Sequence, residues 1–456
     1  MSDSGRLPDY SSAVRDLRAQ YTAFPPGTPV RLGKATSNLF RFRDNGGPRL
    51  DVAAFDQVFS VDPVTRTAEV GGMTTYEHLV DATLQHGLMP LVVPQLKTIT
   101  LGGAVAGLGI ESTSFQHGLP HESVLEMDIL CTDGEIVTAS AEQNPDLFTT
   151  FPNSYGTLGY ALRLRIELQP VSPYVRLRHE RFGSASEAVA AIEQICAERS
   201  WRGIGVDFID GTVFSREECY LTLGSFVSEA PGGTSDYAGQ RVYYKSLRER
   251  PVDNLTVRDY LWRWDVDWFW CSRALGAQHP LVRRFWPRAK RRSDVYRKAV
   301  ALDRKYGFSS KGAKLVGKPQ REPVIQDVEI PVERLAEFLD FFHTEIGISP
   351  VWLCPLKLRG ERTWPLYPME AEKLYVNVGF WATVPLAGWE QEGHFNRLIE
   401  HKVTELGGHK SLYSESFYTE EEFWKLYNGA AYEKAKKKYD PQSRAKDLYT
   451  KCVLGG

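Results

Sequence analysis

A glycine-rich run from Pro94 to Gly118 constrains the fold more than any other stretch of this sequence. Its glycines are Gly102, Gly103, Gly107, Gly109 and Gly118. Glycine lets the backbone approach a bound group closely, and a run of exposed N–H groups forms a concavity that suits an anion. The run matches neither the phosphate loop GxxxxGK[ST] nor the dinucleotide fingerprint GxGxxG. It therefore predicts either a glycine-rich turn in a large α/β domain or a phosphate-binding loop of another geometry.

The length and composition of the chain narrow the class of protein. A chain of 456 residues is longer than one ordinary domain, so we expect two. The formal net charge of −2 argues against a general nucleic-acid-binding protein. The six cysteines form no CxxC pair, which favours a reducing cytoplasmic setting over a disulfide framework or a metal site. No apolar run is long enough to span a bilayer, and residues 1–21 are too polar for a signal peptide. We therefore expect a soluble or peripheral membrane protein.

Three motifs in chain order resemble those of one group of flavoproteins. The first is the glycine-rich run, the second is VLEMDILCTDG at residues 124–134, and the third is NPDLFTTFPNSYGTLG at residues 144–159. Together they resemble the vanillyl-alcohol-oxidase-like, or PCMH-type, FAD-binding superfamily. The resemblance implies a two-domain α+β fold. It places the FAD-binding domain at residues 1–172, an antiparallel-sheet cap that binds substrate at residues 173–407, and a returning C-terminal segment at residues 408–456.

The same resemblance implies where FAD binds. The residues concerned are Gly33, Lys34, Ala35, Thr36, Ser37, Asn38, Pro94, Thr98, Thr100, Gly102, Gly103, Gly107, Gly109, Ile110, Ser112, His117, Gly118, Ser154, Gly156, Thr157 and Gly159. His117 could contact the cofactor, donate a proton or make a structural hydrogen bond. The loop at residues 33–38 lacks the histidine or cysteine that often bonds covalently to the flavin in this superfamily, and Leu96 stands at the position of a second such cysteine. We therefore expect FAD to be held non-covalently.

Residues 259–298 combine aromatic and basic side chains. The aromatic residues are Trp262, Trp264, Trp268, Phe269, Trp270, Phe285 and Trp286, and eight arginines and lysines lie between Arg283 and Lys298. This combination suits the headgroup region of an anionic membrane. It could equally line an apolar substrate tunnel, or form a packed pair of helices with a solvated basic face. The tryptophans do not alternate with the charges, which disfavours nucleic-acid binding. We expect a peripheral contact with the inner face of a membrane.

Within the superfamily, the chain most closely resembles the delta-24 sterol reductases. Besides the glycine-rich run, PVWLCPL at residues 350–356 and LYSESFYTEEEFWKLYNGAAYEK at residues 412–434 carry this resemblance. It implies reduction of an isolated C=C bond of a lipid with electrons from NADPH. Bacterial relatives of this kind include reductases that convert a methylene-branched fatty acyl chain into a methyl-branched one, beside a methyltransferase that installs the methylene group.

An isolated C=C bond poses a specific chemical problem. Because no adjacent carbonyl can accept charge, hydride cannot add directly, whereas protonation of the less substituted carbon gives a tertiary cation that hydride can quench. The protein must then supply a carboxylic acid that burial keeps neutral. Asp327 and Glu415 are the candidate acids, although either could be an ordinary surface carboxylate. Tyr413 is expected to position the acid or to donate a proton through its hydroxyl.

A further resemblance, to the decaprenylphosphoryl-ribose oxidases, implies the substrate pocket. It adds weight to Asp327 and implies that the pocket is lined by Lys357, Tyr375, Asn377 and Tyr413. The catalytic lysine of those oxidases falls at Ser416 here, which disfavours oxidation of a sugar alcohol. Three alternatives stay open: reduction of a sterol side chain, oxidation of a hydroxylated substrate, and a non-catalytic membrane-associated partner of a lipid-modifying enzyme.

Overall fold

The structure, a computed structural model, describes residues 8–25, 28–34, 36–41, 47–306, 319–388 and 390–455. Ala35, which was predicted to bind FAD, lies outside these residues. Two large antiparallel sheets and the helices around them make up most of the described chain. This arrangement agrees with the predicted α+β fold.

The N-terminal part of the chain contains the smaller of the two sheets. Its strands are β1 (Arg31–Leu32), β2 (Arg49–Leu50), β3 (Val58–Asp62), β4 (Thr67–Gly71), β5 (Leu88–Pro90), β6 (Val124–Leu130), β7 (Ile136–Ser140) and β8 (Tyr160–Pro170). Six of them form a sheet in the order β3-β4-β8-β6-β7, with β5 also paired to β8, and β1 pairs with β2 in parallel. The helices are α1 (Pro8–Ala23), α2 (Tyr76–Leu84), α3 (Leu101–Ala106), α4 (Ser114–His117) and α5 (Pro145–Thr150), with 3₁₀ turns at Ala53–Phe55 and Pro120–Ser123.

Two helices of this part begin at threonine caps that are visible in the sequence. The hydroxyl of Thr75 accepts a hydrogen bond from the backbone N–H of His78 at 3.3 Å, which starts α2 inside the helix predicted near residues 75–86. The hydroxyl of Thr100 accepts from the N–H of Gly103 at 3.2 Å and starts α3 within the glycine-rich run. A Cβ atom on Gly102 would lie 2.7 Å from the carbonyl oxygen of Gly72. Only glycine therefore allows α3 to pack this closely on the sheet.

The second sheet lies in the cap. Its region contains β9 (Tyr174–Phe182), β10 (Ser200–Trp201), β11 (Ile204–Gly205), β12 (Phe208–Ser215), β13 (Glu218–Val227), β14 (Val252–Thr256), β15 (Arg321–Pro331), β16 (Val351–Leu356), β17 (Tyr375–Pro385) and β18 (His409–Lys410). Eight of these strands form one antiparallel sheet in the order β14-β9-β13-β12-β16-β17-β15-β18. The helices are α6 (Ala185–Glu198), α7 (Tyr243–Ser246), α8 (Val257–Leu261), α9 (Pro280–Phe285), α10 (Ser293–Tyr306), α11 (Leu335–Phe341) and α12 (His394–Glu405). Short turns of 3₁₀ helix lie at Asp265–Asp267, Cys271–Leu275, Arg288–Lys290 and Val332–Arg334, and a π turn lies at Phe342–Ile346.

The two faces of the cap sheet have different surroundings. On β15, Val324, Val328 and Ile330 pack with residues of α6, α11 and α12 in an apolar core. Because side chains alternate along a strand, Asp327 and Glu329 point to the opposite face. That face is turned towards the N-terminal domain, so β15 places two carboxyl groups between the domains.

The C-terminal segment packs against the first domain, apart from His409–Lys410, which pair with β15 of the cap sheet. It contains α13 (Glu420–Leu426), α14 (Gly429–Tyr439) and α15 (Leu448–Cys452). A capping box starts α13: the hydroxyl of Thr419 accepts from the N–H of Glu422 at 3.3 Å, and the Glu422 carboxylate accepts from the N–H of Thr419 at 2.9 Å. Lys436 of α14 donates to the carbonyl of Thr157 at 2.8 Å, and Lys438 pairs with Asp146 at 2.6 Å.

Candidate active site

A cavity of about 780 Å³ lies between the two domains. One wall comes from the N-terminal domain and residues 444–451, and the other comes from β15, β16, β17 and the loop before α9, completed by Phe40 and Tyr413. Of the residues predicted to bind FAD, those that line it are Lys34, Thr36, Ser37, Asn38, Pro94, Thr98, Thr100, Gly102, Gly103, Gly107, Gly109, Ile110, Gly156 and Gly159. The structure thus brings the loop at residues 34–38, the glycine-rich run and the end of the third motif together on one surface, whereas no residue of the second motif, 124–134, lines the cavity.

Close packing explains why this wall is made of glycine. A Cβ atom on Gly109 would lie 2.9 Å from the ring carbons of both Pro94 and Pro120. A Cβ atom on Gly103 would lie 2.8 Å from the hydroxyl of Thr100 and 3.5 Å from the ammonium of Lys34. At these positions the wall therefore presents backbone to the cavity and has no room for side chains. A flat cofactor can then lie close against the backbone.

The side chain of Gln95 gives the clearest indication that this wall binds a polar ligand. Its side chain lines the cavity and is only 4% exposed. Neither its amide nitrogen nor its amide oxygen has a hydrogen-bond partner among the described residues. An unpaired buried amide is costly, and a bound ring that carries both donors and acceptors would satisfy it. The isoalloxazine of FAD is such a ring, so the residues present fit this cofactor.

Cationic side chains give one part of the cavity a positive potential. They are Arg31, Lys34, Arg41, Arg49, Arg444, Lys446 and Lys451. Lys34 also donates to the hydroxyl of Thr100 at 2.9 Å, which holds its ammonium beside the start of α3. Together with the N–H groups at the start of α3, these cations suit the pyrophosphate of FAD.

Six of the predicted FAD residues lie outside the cavity lining: Gly33, Ser112, His117, Gly118, Ser154 and Thr157. Ser112 is buried and its hydroxyl lies 2.7 Å from that of Tyr260. His117 lies 3.2 Å from the amide oxygen of Gln169 and its burial lowers its pKa. Gly118 has a φ of +67°, and a Cβ atom there would overlap the carboxylate of Glu122. These residues shape the loops behind the wall.

The wall opposite the glycines is aromatic. We call its six residues the aromatic box: Phe40, Trp268, Phe269, Trp352, Trp381 and Tyr413. Phe269 stacks on Trp381 with 4.3 Å between ring centroids, and Phe40 stacks on Trp268 at 5.8 Å. The prediction that the tryptophans of residues 262–270 sit in membrane headgroups is wrong, because each is at most 6% exposed. Trp268 instead lines the cavity, which fits the alternative of an apolar substrate compartment.

The backbone at Trp268 and Phe269 is strained. Their φ angles are +48° and +57°, a region that bulky residues rarely adopt. Such strain persists only where the surroundings impose it, and it is concentrated at functional sites. Here it turns two consecutive aromatic side chains into the same cavity. No sequence pattern marks this conformation.

A buried ion pair supports the aromatic box from behind. The carboxylate of Asp210 accepts hydrogen bonds from Arg263 at 2.7 Å, from Trp264 at 2.8 Å and from Trp352 at 3.2 Å. Arg263 and Asp210 are at most 1% exposed. The pair therefore fixes the indole of Trp352, one member of the aromatic box.

Asp327 is the acidic residue that faces the cavity from β15. Its carboxylate accepts from the amide of Asn377 at 3.0 Å and from the hydroxyl of Tyr413, which in turn accepts from the indole N–H of Trp381 at 2.9 Å. Burial raises the pKa of Asp327 to about 6, although the hydrogen bonds from Asn377 and Tyr413 lower it. A Cβ atom on Gly379, the residue opposite on β17, would lie 2.5 Å from the carboxylate. Glycine there leaves room for the acid.

Glu329, which the sequence analysis did not single out, lies on the same face of β15. It is fully buried, and one of its carboxylate oxygens accepts from the hydroxyl of Tyr367. Its other oxygen has no partner among the described residues. Burial, and next the charge of Asp327, raise its pKa well above the ordinary value. Its spacing of two residues from Asp327 in a strand was a signal that could have identified it.

The other predicted catalytic and pocket residues lie elsewhere. Glu415 is exposed and outside the cavity lining. Lys357 pairs with Glu372 at 3.2 Å near the surface, and Tyr375 is buried with its hydroxyl 3.4 Å from the N–H of Glu370. Asp327, Asn377 and Tyr413 are the three that meet at the cavity. Trp381 could have been found from the sequence, because it shares a strand face with Asn377 four residues earlier.

Comparison with known proteins identifies the family of the N-terminal domain, which contains the glycine wall. The family described as FAD binding domain matches residues 12–140. These residues form an FAD-binding domain. The resemblance to PCMH-type flavoproteins is thereby confirmed, and FAD is the cofactor that the glycine wall, the cations and Gln95 accommodate. The described lining contains no cysteine or histidine, and the non-covalent attachment of FAD stays a prediction.

Relatives extend this result beyond the FAD-binding domain. The Delta(24)-sterol reductase of Homo sapiens is 26% identical over 98% of this chain and 85% of its own length. That of Arabidopsis thaliana is 25% identical over 89% of this chain and 76% of its own length. Cytokinin dehydrogenase 6 of Oryza sativa subsp. japonica is 31% identical, over 41% of this chain and 38% of its length. The chain is therefore an FAD-dependent oxidoreductase homologous to Delta(24)-sterol reductases over both domains. No helix among the described residues has the length and apolarity needed to cross a membrane.

Proposed function

We propose that this protein reduces an unactivated C=C bond of a lipid with electrons from NADPH, and that its substrate is a methylene-branched fatty acyl chain that becomes methyl-branched. The observation that carries the proposal is the position of Asp327: one carboxyl group of raised pKa in an aromatic cavity that the FAD-binding domain closes. A hydroxylated or charged substrate would find few polar partners within the aromatic box.

Asp327 is the proposed proton donor. Its proton would be transferred to the terminal carbon of the methylene group, which leaves a tertiary cation on the branching carbon. Reduced FAD, when bound, supplies the hydride that forms the second C–H bond. The substrate thus gains one proton and one hydride, and the carboxylate of Asp327 takes a proton from solvent after the product leaves.

The protein's own side chains support both stages of this reaction. A bound lipid would exclude water from the carboxyl group and would raise the pKa of Asp327 further. Tyr413 and Asn377 hold the carboxylate oxygens in position and would stabilise the anion left after proton transfer. The rings of Trp268 and Trp381 also line the cavity, and the π electrons of such rings would favour a developing cation, an interaction that strengthens where water is absent.

The electron donor belongs to the proposal as well. The dinucleotide NADPH must reach the same flavin, and the cations that line the cavity offer partners for its phosphates. A lipid methyltransferase would be the partner that supplies the methylene-branched substrate. Both assignments are implied by the resemblance to sterol reductases and their bacterial relatives.

A rapid-mixing experiment tests the proposal. Under anaerobic conditions, NADPH should bleach the flavin absorbance of the holoenzyme, and a lipid with a mid-chain methylene group should restore it and yield the methyl-branched product by mass spectrometry. Bleaching by an alcohol or hydroxy acid, without any response to NADPH, would favour oxidation of a hydroxylated substrate. If FAD binds but neither compound changes it, a non-catalytic partner role would be favoured.

Reduction of a sterol side chain is the second candidate. It is favoured by the homology to Delta(24)-sterol reductases over nearly the whole chain. The chemistry at Asp327 would be the same, because a trisubstituted side-chain alkene also gives a tertiary cation. Reoxidation of the reduced flavin by a Δ24 sterol, and not by a methylene-branched acyl lipid, would replace the first proposal with this one.

A further inference from the structure

Helix α9 (Pro280–Phe285) presents apolar side chains to solvent. Leu281, Val282 and Phe285 are 64%, 40% and 81% exposed. The described chain has few other large apolar side chains this exposed, and those are scattered among distant elements. Contiguous exposed apolar groups mark interaction sites, whereas single ones are ordinary. We call Leu281, Val282 and Phe285, together with the exposed cations Arg284, Arg288 and Lys290, the α9 surface.

Two buried arginines hold the α9 surface in this orientation. All three side-chain nitrogens of Arg283 donate hydrogen bonds, to Asp267 at 2.6 Å and to the carbonyls of Tyr237, Gly239 and Arg241. Arg291 donates to carbonyls on the same loop and to that of Trp286 at 2.9 Å. Because these bonds fix the helix from its inner side, the apolar residues cannot turn inward without breaking them. Their exposure is a fixed feature of the fold.

The charge around these apolar residues is positive. Arg284 and Lys290 form no ion pair with any carboxylate in the part of the chain that the structure describes. Arg288 pairs with Asp236 in an exposed contact. Since the whole chain carries a formal charge of only −2, this is a local concentration of positive charge beside apolar groups. Such a surface matches the boundary between anionic headgroups and acyl chains.

The α9 surface also connects to the cavity. Trp286, directly after α9, packs on Tyr296 with 5.6 Å between ring centroids. Tyr296 belongs to an apolar cluster that includes Phe40, Leu96 and Trp268, all of which line the cavity. Apolar contact therefore leads from Trp286, the residue that follows α9, to the aromatic box.

From these observations we infer that the α9 surface docks the protein on an anionic lipid membrane, with Leu281 and Phe285 inserted among the acyl chains. The inference deepens the proposed function, on which it rests for its purpose, because a protein held on a membrane meets its lipid substrate there. A second copy of this chain fits the surface poorly. A two-fold contact would oppose Arg284 and Lys290 to their own copies, and three apolar side chains are far fewer than the roughly 20–30 residues that each partner contributes to a stable interface.

Vesicle flotation of the FAD-bound protein tests the inference without any turnover. We expect binding to vesicles of phosphatidylglycerol and phosphatidylcholine, weak binding to phosphatidylcholine alone, and a decrease with salt. The double variant Leu281→Ser/Phe285→Ser should bind the anionic vesicles at least about ten-fold more weakly, and Arg284→Gln/Lys290→Gln should lose most of the salt dependence. The matched control is Ile204→Ser, since Ile204 is 49% exposed on β11.

Three results would overturn the inference: no binding of the unaltered protein to anionic vesicles, equal loss in the Ile204→Ser control, or a dimer in sedimentation velocity that Leu281→Ser/Phe285→Ser converts to monomer. Activity separates this inference from the proposed function. The double variant should reduce a detergent-dispersed methylene lipid at the normal rate and a vesicle-embedded one more slowly. If neither form of the lipid is reduced by the unaltered protein, the proposed function fails while the vesicle binding still decides the docking.

Discussion

On the FAD-binding side of the cavity, the wall consists largely of glycines whose backbone approaches the ligand, with cations around them. On the cap side, the wall consists of large aromatic side chains and one hydrogen-bonded carboxyl group, Asp327. The first wall excludes side chains: a Cβ atom on Gly103 or Gly109 would meet a neighbour within 3 Å. The second wall depends on side chains for its chemistry. One wall recognises a cofactor by shape, and the other determines what the cofactor reacts with.

From this difference we expect related chains to share the cofactor wall more widely than the substrate wall. The cytokinin dehydrogenase relative matches 41% of this chain, whereas the sterol reductases match nearly all of it. A glycine wall suits any enzyme that binds the same cofactor. The cap residues must change whenever the substrate does. Substitutions on the glycine wall should therefore weaken cofactor binding, whereas substitutions on the cap wall should change the reaction with the substrate.

The largest effect is expected from Asp327→Asn, which removes the acid and keeps its size. Because general acid catalysis contributes on the order of 10²–10⁴-fold, reoxidation of the reduced flavin by the lipid alkene should slow by that factor. Bleaching by NADPH and FAD content should be unchanged, since Asp327 lies on the cap wall. Glu415→Gln is the matched control: this carboxylate is exposed and should be dispensable. Equal losses in the two variants would remove Asp327 from its proposed role.

The same substitution should stabilise the fold in alkaline solution. Burial raises the pKa of Asp327 from 3.8 to about 6, so the folded state binds the proton more tightly than the unfolded state. Stability therefore falls as pH rises from about 4 to 6, and the penalty is fully present above pH 6. At about 1.4 kcal/mol for each pKa unit, Asp327→Asn should increase the unfolding free energy at pH 8 by up to about 3 kcal/mol, with no gain at pH 3. Urea titrations at the two pH values measure this difference, and equal effects at both would mean that the carboxyl is not perturbed.

The glycine wall should respond through cofactor affinity. Gly103→Val forces a side chain against Thr100 and into the cavity. Overpacking costs about 2 kcal/mol, which corresponds to about 30-fold weaker binding of FAD. Fluorescence titration of the apoprotein measures it. Gly205→Val is the control, because no atom lies within 4 Å of a Cβ atom there. Unchanged affinity in Gly103→Val would show that the cofactor does not contact this wall.

The two walls also differ in how far the sequence could predict them. The glycine wall follows from three short stretches, residues 34–38, 94–110 and 156–159, each of which is contiguous in sequence, and 14 of the predicted residues line the cavity. Three of those that do not, Ser112, His117 and Thr157, lie in or beside the same stretches but outside the lining, and a motif does not specify which side a residue faces. The cap wall joins Trp268, Asp327 and Tyr413, which are far apart in sequence and meet only through the strand order. The aromatic stretch at residues 262–270 was misassigned to a membrane because composition reports apolarity, whereas burial depends on the left-handed turn at Trp268 and Phe269.

The smallest effect should come from Tyr413→Phe, which keeps the aromatic ring of the box and removes one hydrogen bond to Asp327. That bond lowers the pKa of Asp327, so its loss should raise the pKa, and the acid should stay protonated to higher pH. The alkaline limb of the rate of flavin reoxidation should move up by about one pH unit, since a hydrogen bond to a charged group contributes about 1.5 kcal/mol. Tyr375→Phe is the control, because Tyr375 lies on the same cap sheet but outside the cavity lining. A purely structural role for Tyr413 would lower the rate equally at every pH, whereas a shift of the limb in Tyr413→Phe alone would show that the cap wall tunes its acid through this hydroxyl.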